Sequence, residues 1–529
     1  MTTTTATATR AFERSLLLLV GASTLLRLVL AAATGLGVDE SYAVSVALPY
    51  SLSYFDHPPL HFWMAGAMVQ LTGTTTALLV RLPFVISFGV TLFAIGTLGR
   101  RLFGERAGLL GALALASSGV LGVTTGTWVL PDGPLVAALA VAAVLAEAAT
   151  RTPARGLESW LWLGVALAVG FLSKYHTALF GLGLAVFLVT DRTARTTLAT
   201  SGPWLAAGVA SIGLVPVLLW NEKHDWISFA FHGARATSDR PWSPAPFAEM
   251  LAGEAAWLLP WIAIPAGLAL WRAWRTGPED RGGWFCAMLA SGPILVFSLV
   301  PLGGARGLPH WTAPGWLFVM PLVGRELACA IEEGRSWARG WRVAAPTVTA
   351  VLALLLAVHV QTGMLTRVLP GLNAPSDPSL DAVDWRSLAD SLNARGVITS
   401  GEAARPIYAR SWIQAGKLGV ALGPHARVRC FCDDPHHFGL RPGGREAPDT
   451  TALVIEHAQP WRRQWRPAHR VWSDRLHLDS VSAVTITPRG ARAITLLLYR
   501  VAAPRDQAAN RRVNRYFRDS DTSEREIDA

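Results

Sequence analysis

The chain has 529 residues, of which 51% are hydrophobic and only 16% charged, with a mean hydropathy of +0.33. A soluble enzyme carries about 25% charged residues, so a single soluble core is excluded. The net charge of +10 lies mostly on arginines in loops between long apolar blocks, which points to a membrane protein and away from a nucleic-acid binder.

Eleven apolar blocks follow in order, near 15–35, 79–98, 108–127, 133–149, 158–173, 177–190, 202–220, 249–272, 284–302, 311–324 and 343–366. A bilayer core takes about 20 residues of helix. Blocks 158–173 and 177–190 are short, so the span count reads as ten to thirteen, with eleven preferred. Ala31-Ala32-Ala33 would also suit a cleaved signal peptide, but the apolar run is long and cleavage would spoil the parity.

Charge sets the orientation. With Arg10 and Arg14 inside, the inner loops hold sixteen arginines, among them Arg101, Arg106, Arg151, Arg281 and Arg325. The outer loops hold five or six cations, including Lys174, Lys223 and Arg306. This is a positive-inside bias. It predicts three parts: a helical transmembrane domain over 1–366, an extracytoplasmic α/β domain over 367–503, and a disordered charged tail over 504–529. Short β-type runs, Ala452–Ile455 and Ala493–Tyr499, mark the α/β domain.

The outer loop between the first two blocks carries Gly37-Val38-Asp39-Glu40-Ser41-Tyr42 and then Tyr54-Phe55-Asp56-His57-Pro58-Pro59-Leu60. The apolar stretch Leu60–Leu71 is too short to span and predicts an interfacial helix. Carboxylates where water is scarce are costly and mark function. The plainer reading is a helix cap and a solvated loop.

These strings resemble the protein O-mannosyltransferase and aminoarabinose-transferase superfamily of membrane glycosyltransferases, including its bacterial galacturonosyltransferase-like branch. Further matches fall in order: Arg81-Leu82-Pro83, Pro131-Asp132-Gly133-Pro134, Leu172-Ser173-Lys174-Tyr175, Trp220-Asn221 with His224-Asp225-Trp226, and Pro309-His310-Trp311. The resemblance covers about residues 15–325. It implies a GT-C-like fold. It also implies a polyprenyl-phosphate-linked sugar as donor, and single displacement with inversion.

On that chemistry Asp39 is the candidate base, activating the acceptor hydroxyl, with a pKa raised by desolvation at the membrane edge. Glu40 orients Asp39 or the acceptor, or is a surface carboxylate. Asp132 is a second acid, or a turn residue. Lys174, Arg81, His57 and Arg306 are cations for the leaving phosphate, and Tyr42, Tyr175 and His310 are further substrate contacts. Arg27 lies within the first span, as a functional group or a structural one. Relatives hold a divalent ion with an acidic residue at the Asp56 position and a later loop histidine, which here is His224 or His232. Cys430-Phe431-Cys432, with Asp433, Asp434, His436 and His437, fits no zinc spacing and reads first as structural cysteines, then as a strained or redox-active pair.

No Walker-type loop is present, and the inner loops have no room for a nucleotide-sugar domain. A lipid-linked donor is therefore expected, with membrane lipids around it and a lipid, glycan or protein acceptor. The rival classes are a secondary transporter or flippase and an inactive binder of the lipid carrier. Among the C-terminal tryptophans, Trp385, Trp412, Trp461 and Trp465 suit an acceptor sugar or a packed core.

Overall fold

A computed structural model describes residues 3–151, 156–236, 244–305, 307–369, 377–398, 405–458, 468, 472, 476–487 and 492–502. The expected tail over 504–529, Trp461, Trp465 and Arg306 lie outside the described residues.

The chain is a multi-pass membrane protein. The helices are α1 (Thr3–Ala33), α2 (Val38–Val46), α3 (Leu60–Thr72), α4 (Ala77–Phe103), α5 (Glu105–Ala116), α6 (Asp132–Arg151), α7 (Glu158–Ser173), α8 (Thr177–Thr190), α9 (Gly202–Ile212), α10 (Val215–Glu222), α11 (Ile227–Ala236), α12 (Pro244–Leu258), α13 (Pro260–Thr276), α14 (Arg281–Leu299), α15 (Ala313–Glu332) and α16 (Ser336–Thr362). Among the described residues, six helices are long and apolar enough to cross a bilayer, and three bent pairs qualify if each pair is one span. Together with the shorter apolar helices α7 and α8, they account for the eleven apolar blocks of the sequence.

The bends have local causes. Helix α5 breaks at Ser117-Ser118, where Ser118 Oγ accepts the Leu121 N–H at 3.3 Å and the chain turns 78° into Gly119–Thr127. Pro260 lacks an N–H and disfavours helix at Leu259. Leu259 accordingly sits at φ +74°, and α12 and α13 meet at 112°.

Two compact units result. The first comprises residues 1–31, 51–61 and 81–354. Its core is the packed helix interior, including Leu16, Leu92, Leu139, Phe180, Phe285 and Phe318. Where α5 meets α15, Gly111 and Gly324 let the backbones touch; a Cβ on Gly324 would strike the Ala107 carbonyl. Large apolar side chains such as Leu18, Ile86, Trp204 and Ile264 remain exposed, as lipid-facing residues do. Arg27 is buried in this unit. It donates to Ser23 Oγ at 2.6 Å and to the Ala116 carbonyl at 3.4 Å, and lies 4.1 Å over Phe88. It thus caps the carbonyl end of α5 at the break, a structural role.

The second unit comprises residues 32–50, 62–80 and 355–529, so two stretches between α1 and α4 pack with the C-terminal residues. It contains α17 (Ser387–Ala394), α18 (Trp412–Leu422) and five strands: β1 (Ile407–Ala409), β2 (Val428–Cys430), β3 (Leu453–His457), β4 (Leu478–Ile486) and β5 (Ile494–Val501). The sheet order is β2-β1-β3-β5-β4. β1 runs parallel to β2 and β3, with α18 as the crossover from β1 to β2. β5 runs antiparallel to β3 and β4. Two of these strands coincide with the expected β-type runs. Cys430 and Cys432 are joined in a disulfide.

Candidate functional site

In the first unit, helix ends sort the charged residues into two groups. At one set of ends Arg101 pairs with Glu147 at 3.6 Å, Arg106 with Glu332 at 3.1 Å, Arg281 with Asp191 at 3.5 Å, and Arg325 with Asp280. These arginines all belong to loops read as inner. At the other ends of α6, α7, α8 and α15 stand Asp132, Lys174, His176 and His310.

Asp132 opens α6, and Lys174 follows the last residue of α7. Packing α6 on α7 brings them together. The Lys174 ammonium donates to both Asp132 oxygens, at 2.9 and 3.1 Å, and both side chains are buried. A buried ion pair stands only when desolvation is offset on both sides, and removing one partner strands a charge. An acid held this way is a poorer base than a free carboxylate.

Histidines surround the pair. The His57 ring lies 5.6 Å from His61 and 6.1 Å from His232. Tyr175 meets His232 edge-on at 5.5 Å, and His176 stacks on Phe297 at 4.3 Å. His310 lies 6.1 Å from Trp257 and feels the charges of Asp132 and Lys174. Burial pushes His57 and His176 well below the ordinary imidazole value, with Lys174 acting in the same direction. Burial pushes His61 down to about 3 and lowers His232. These rings are therefore neutral at pH 7.

This has a consequence for stability. On acidification the unfolded chain binds protons at these histidines near pH ~6.5, while the folded chain does not, so folding stability falls with pH. Each such ring contributes a slope of up to about 1.4 kcal/mol per pH unit below that point. The melting temperature in detergent is expected to be level above pH 7 and to fall from pH 6.5 to 5. His57→Gln should flatten part of the fall. A melting temperature that rises on acidification would contradict the burial of these rings.

The metal expectation meets a different geometry. His224 stacks on Trp220, with Nδ1 2.7 Å from the Trp220 carbonyl. His232 Nε2 lies 2.9 Å from the Asp56 backbone carbonyl. Among the described residues, no group of three His, Cys, Asp or Glu side chains is placed to hold a metal. No step of the proposed reaction is routed through a metal ion.

Arg81 is fully buried in the same unit, with Nη1 donating to the Ala31 carbonyl at 3.2 Å. The structure thus gathers Asp56, His57, Arg81, Asp132, Lys174, Tyr175, His224, His232 and His310 in one unit. Asp39, Glu40 and Tyr42 share α2 in the other. Glu40 is buried and its Oε2 accepts the Gly37 N–H at 2.8 Å, so it caps the helix that carries Asp39. Asp39 itself is exposed within the protein, at the first turn of α2. His61 and His176 were not among the sequence candidates. Their signal was histidine recurring at the same helix ends as Lys174.

The family described as dolichyl-phosphate-mannose-protein mannosyltransferase matches residues 56–220. The chain is 32% identical over 323 residues to an undecaprenyl phosphate-alpha-4-amino-4-deoxy-L-arabinose arabinosyl transferase of Sodalis glossinidius, covering 58% of this chain and 56% of that protein. It is 31% identical over 216 residues to a lipid A galacturonosyltransferase of Rhizobium johnstonii, covering 40% of this chain and 44% of that one. The chain thus spans about half the length of these curated relatives. Its structure is similar to the crystal structure of ArnT from Cupriavidus metallidurans bound to undecaprenyl phosphate. The TM-score is 0.62 over 91% of this chain and 97% of that one, at 18% identity. The resemblance read from these strings is borne out by these similarities, and the fold is GT-C.

Proposed function

We propose that this chain transfers a sugar from a polyprenyl-phosphate carrier to a hydroxyl of a lipid, glycan or protein on the outer face of the cytoplasmic membrane. One observation carries the reading: the buried Lys174–Asp132 pair with its neutral histidines, at helix ends opposite the arginine–carboxylate pairs. A lysine and imidazole N–H donors suit a phosphate that gains charge as it leaves. The donors named for the similar proteins, undecaprenyl phosphate-linked among them, support the carrier class. The acceptor oxygen attacks the anomeric carbon, and its proton passes to Asp39. The bond from that carbon to the phosphate oxygen breaks, the configuration inverts, and the phosphate leaves on its lipid with its charge offset by Lys174.

The outer orientation rests on the sixteen inner arginines and on the Cys430–Cys432 disulfide, a bond that persists in oxidising compartments. A reporter fused after residue 440 is expected to be active if it requires export and silent if it requires the cytoplasm. The reverse pattern would put the α/β domain inside.

Mass spectrometry of a strain lacking the chain tests the activity. The expected result is accumulation of one polyprenyl-phosphate glycolipid and loss of one sugar from a lipid, glycan or protein. Unchanged carriers and unchanged envelope glycans would count against transfer.

A further inference from the structure

Helix α2 has nine residues, too few to fix its own direction, yet it carries Asp39. Residues far along the chain hold it. Before its first turn, the buried Lys417 ammonium donates to the Leu36 carbonyl at 2.6 Å and to the Val383 carbonyl at 2.9 Å. At its last turn and just beyond, Arg441 donates to the Ser45 carbonyl at 3.1 Å and to the Leu48 carbonyl at 2.8 Å. Along its length α18 lies in direct backbone contact. A Cβ on Gly416 would stand 2.7 Å from the Tyr42 nitrogen, and Ser45 Oγ donates to the Gly416 carbonyl at 2.7 Å. The Tyr42 hydroxyl accepts the His437 N–H at 3.2 Å, and its ring meets Trp412 at 5.4 Å and His436 at 5.6 Å. All these residues belong to the second unit.

Burying a lysine is costly, and an apolar residue would pack α18 on α2 as well. What an ammonium adds is direction. Lys417 fixes two carbonyls on the chain entering α2, and the Arg441 fork fixes two more where the chain leaves it. Glu40 caps the helix between these points. The geometry points to Lys417 and Arg441 as positioning residues: the C-terminal α/β domain clamps both ends of α2 and so sets the aim of Asp39. This rests on Asp39 being the base. The clamp acts on proton removal from the acceptor and leaves the carrier phosphate to Lys174.

The test uses the purified full chain in lipid vesicles. The donor is the polyprenyl-phosphate glycolipid fraction from cells lacking the chain, and undecaprenyl phosphate is the binding probe. Lys417→Met and Arg441→Met are expected to lower kcat about 10- to 100-fold, the scale of a misaimed catalytic group, with donor KM and undecaprenyl phosphate binding within about twofold. Arg441→Lys keeps the charge but loses the fork, and is expected to lower kcat about 3- to 10-fold with an unchanged melting temperature. This milder variant decides the matter if the Met variants do not fold. Lys417→Met added to Asp39→Asn is expected to lower kcat no further, because both act through one group. Native kcat in Arg441→Lys, or equal loss of kcat and carrier binding, overturns the clamp. If Asp39→Asn is inactive while the clamp variants are native, the base stands and the clamp alone falls. If Asp39→Asn keeps native turnover, the base falls and the clamp with it.

Discussion

Asp39→Asn is expected to lower sugar transfer by roughly 10²–10⁴, the range for loss of a general base, with normal insertion and folding. Asparagine keeps the shape and one acceptor oxygen but cannot take the proton. The helix should survive, because its N-terminal cap comes from Glu40 and its ends are held by Lys417 and Arg441. Undecaprenyl phosphate binding should also be unchanged, since the proposed phosphate cation is Lys174. Turnover must be compared at matched protein in the membrane. Near-native transfer by a well-expressed Asn variant would move the search to Asp56 or Asp132.

Lys174→Ala is expected to show two losses at once. Breaking the pair leaves Asp132 buried and charged, which destabilises by about 3–5 kcal/mol. Losing the cation opposite a leaving phosphate removes about 2–4 kcal/mol of transition-state stabilisation. The double variant Lys174→Ala/Asp132→Asn separates them. It removes the stranded charge, so the melting temperature should recover toward native. Undecaprenyl phosphate binding should stay weak, because the cation is still missing. If binding recovers together with the melting temperature, the pair only holds α6 on α7, and Lys174 has no role at the phosphate.

Much of the fold was legible because bilayer thickness and hydropathy act locally. Each apolar block needs only its own residues to declare itself, and all eleven correspond to helices or bent pairs. The strand runs around Leu453 and Ile494 were legible for the same reason. The bends were marked by local chemistry too, in Ser117-Ser118-Gly119 and in Leu259-Pro260. The pairing of Lys174 with Asp132 was not legible, because 42 residues separate them and only the packing of two helices joins them. Each was read singly, one as a phosphate cation and one as an acid. The exposure of Asp39 within the protein was not legible either, since it depends on what packs over the first turn of α2. The clamp was hidden by sequence distance, since Lys417 meets Leu36 across 381 residues. Its local trace is a lysine between Gly416 and Gly419 in a mostly apolar helix.

The most direct measurement is release of free polyprenyl phosphate from its glycolipid by the purified chain in vesicles. The donor fraction comes from cells lacking the chain, and lipid A, envelope glycan and protein are offered as acceptors. The expected result is free polyprenyl phosphate in equal amount to sugar newly attached to one acceptor, with release abolished in Asp39→Asn. Glycolipid that binds and stays intact, or crosses between leaflets with its sugar still attached, would contradict a transferase and leave a binder or a flippase.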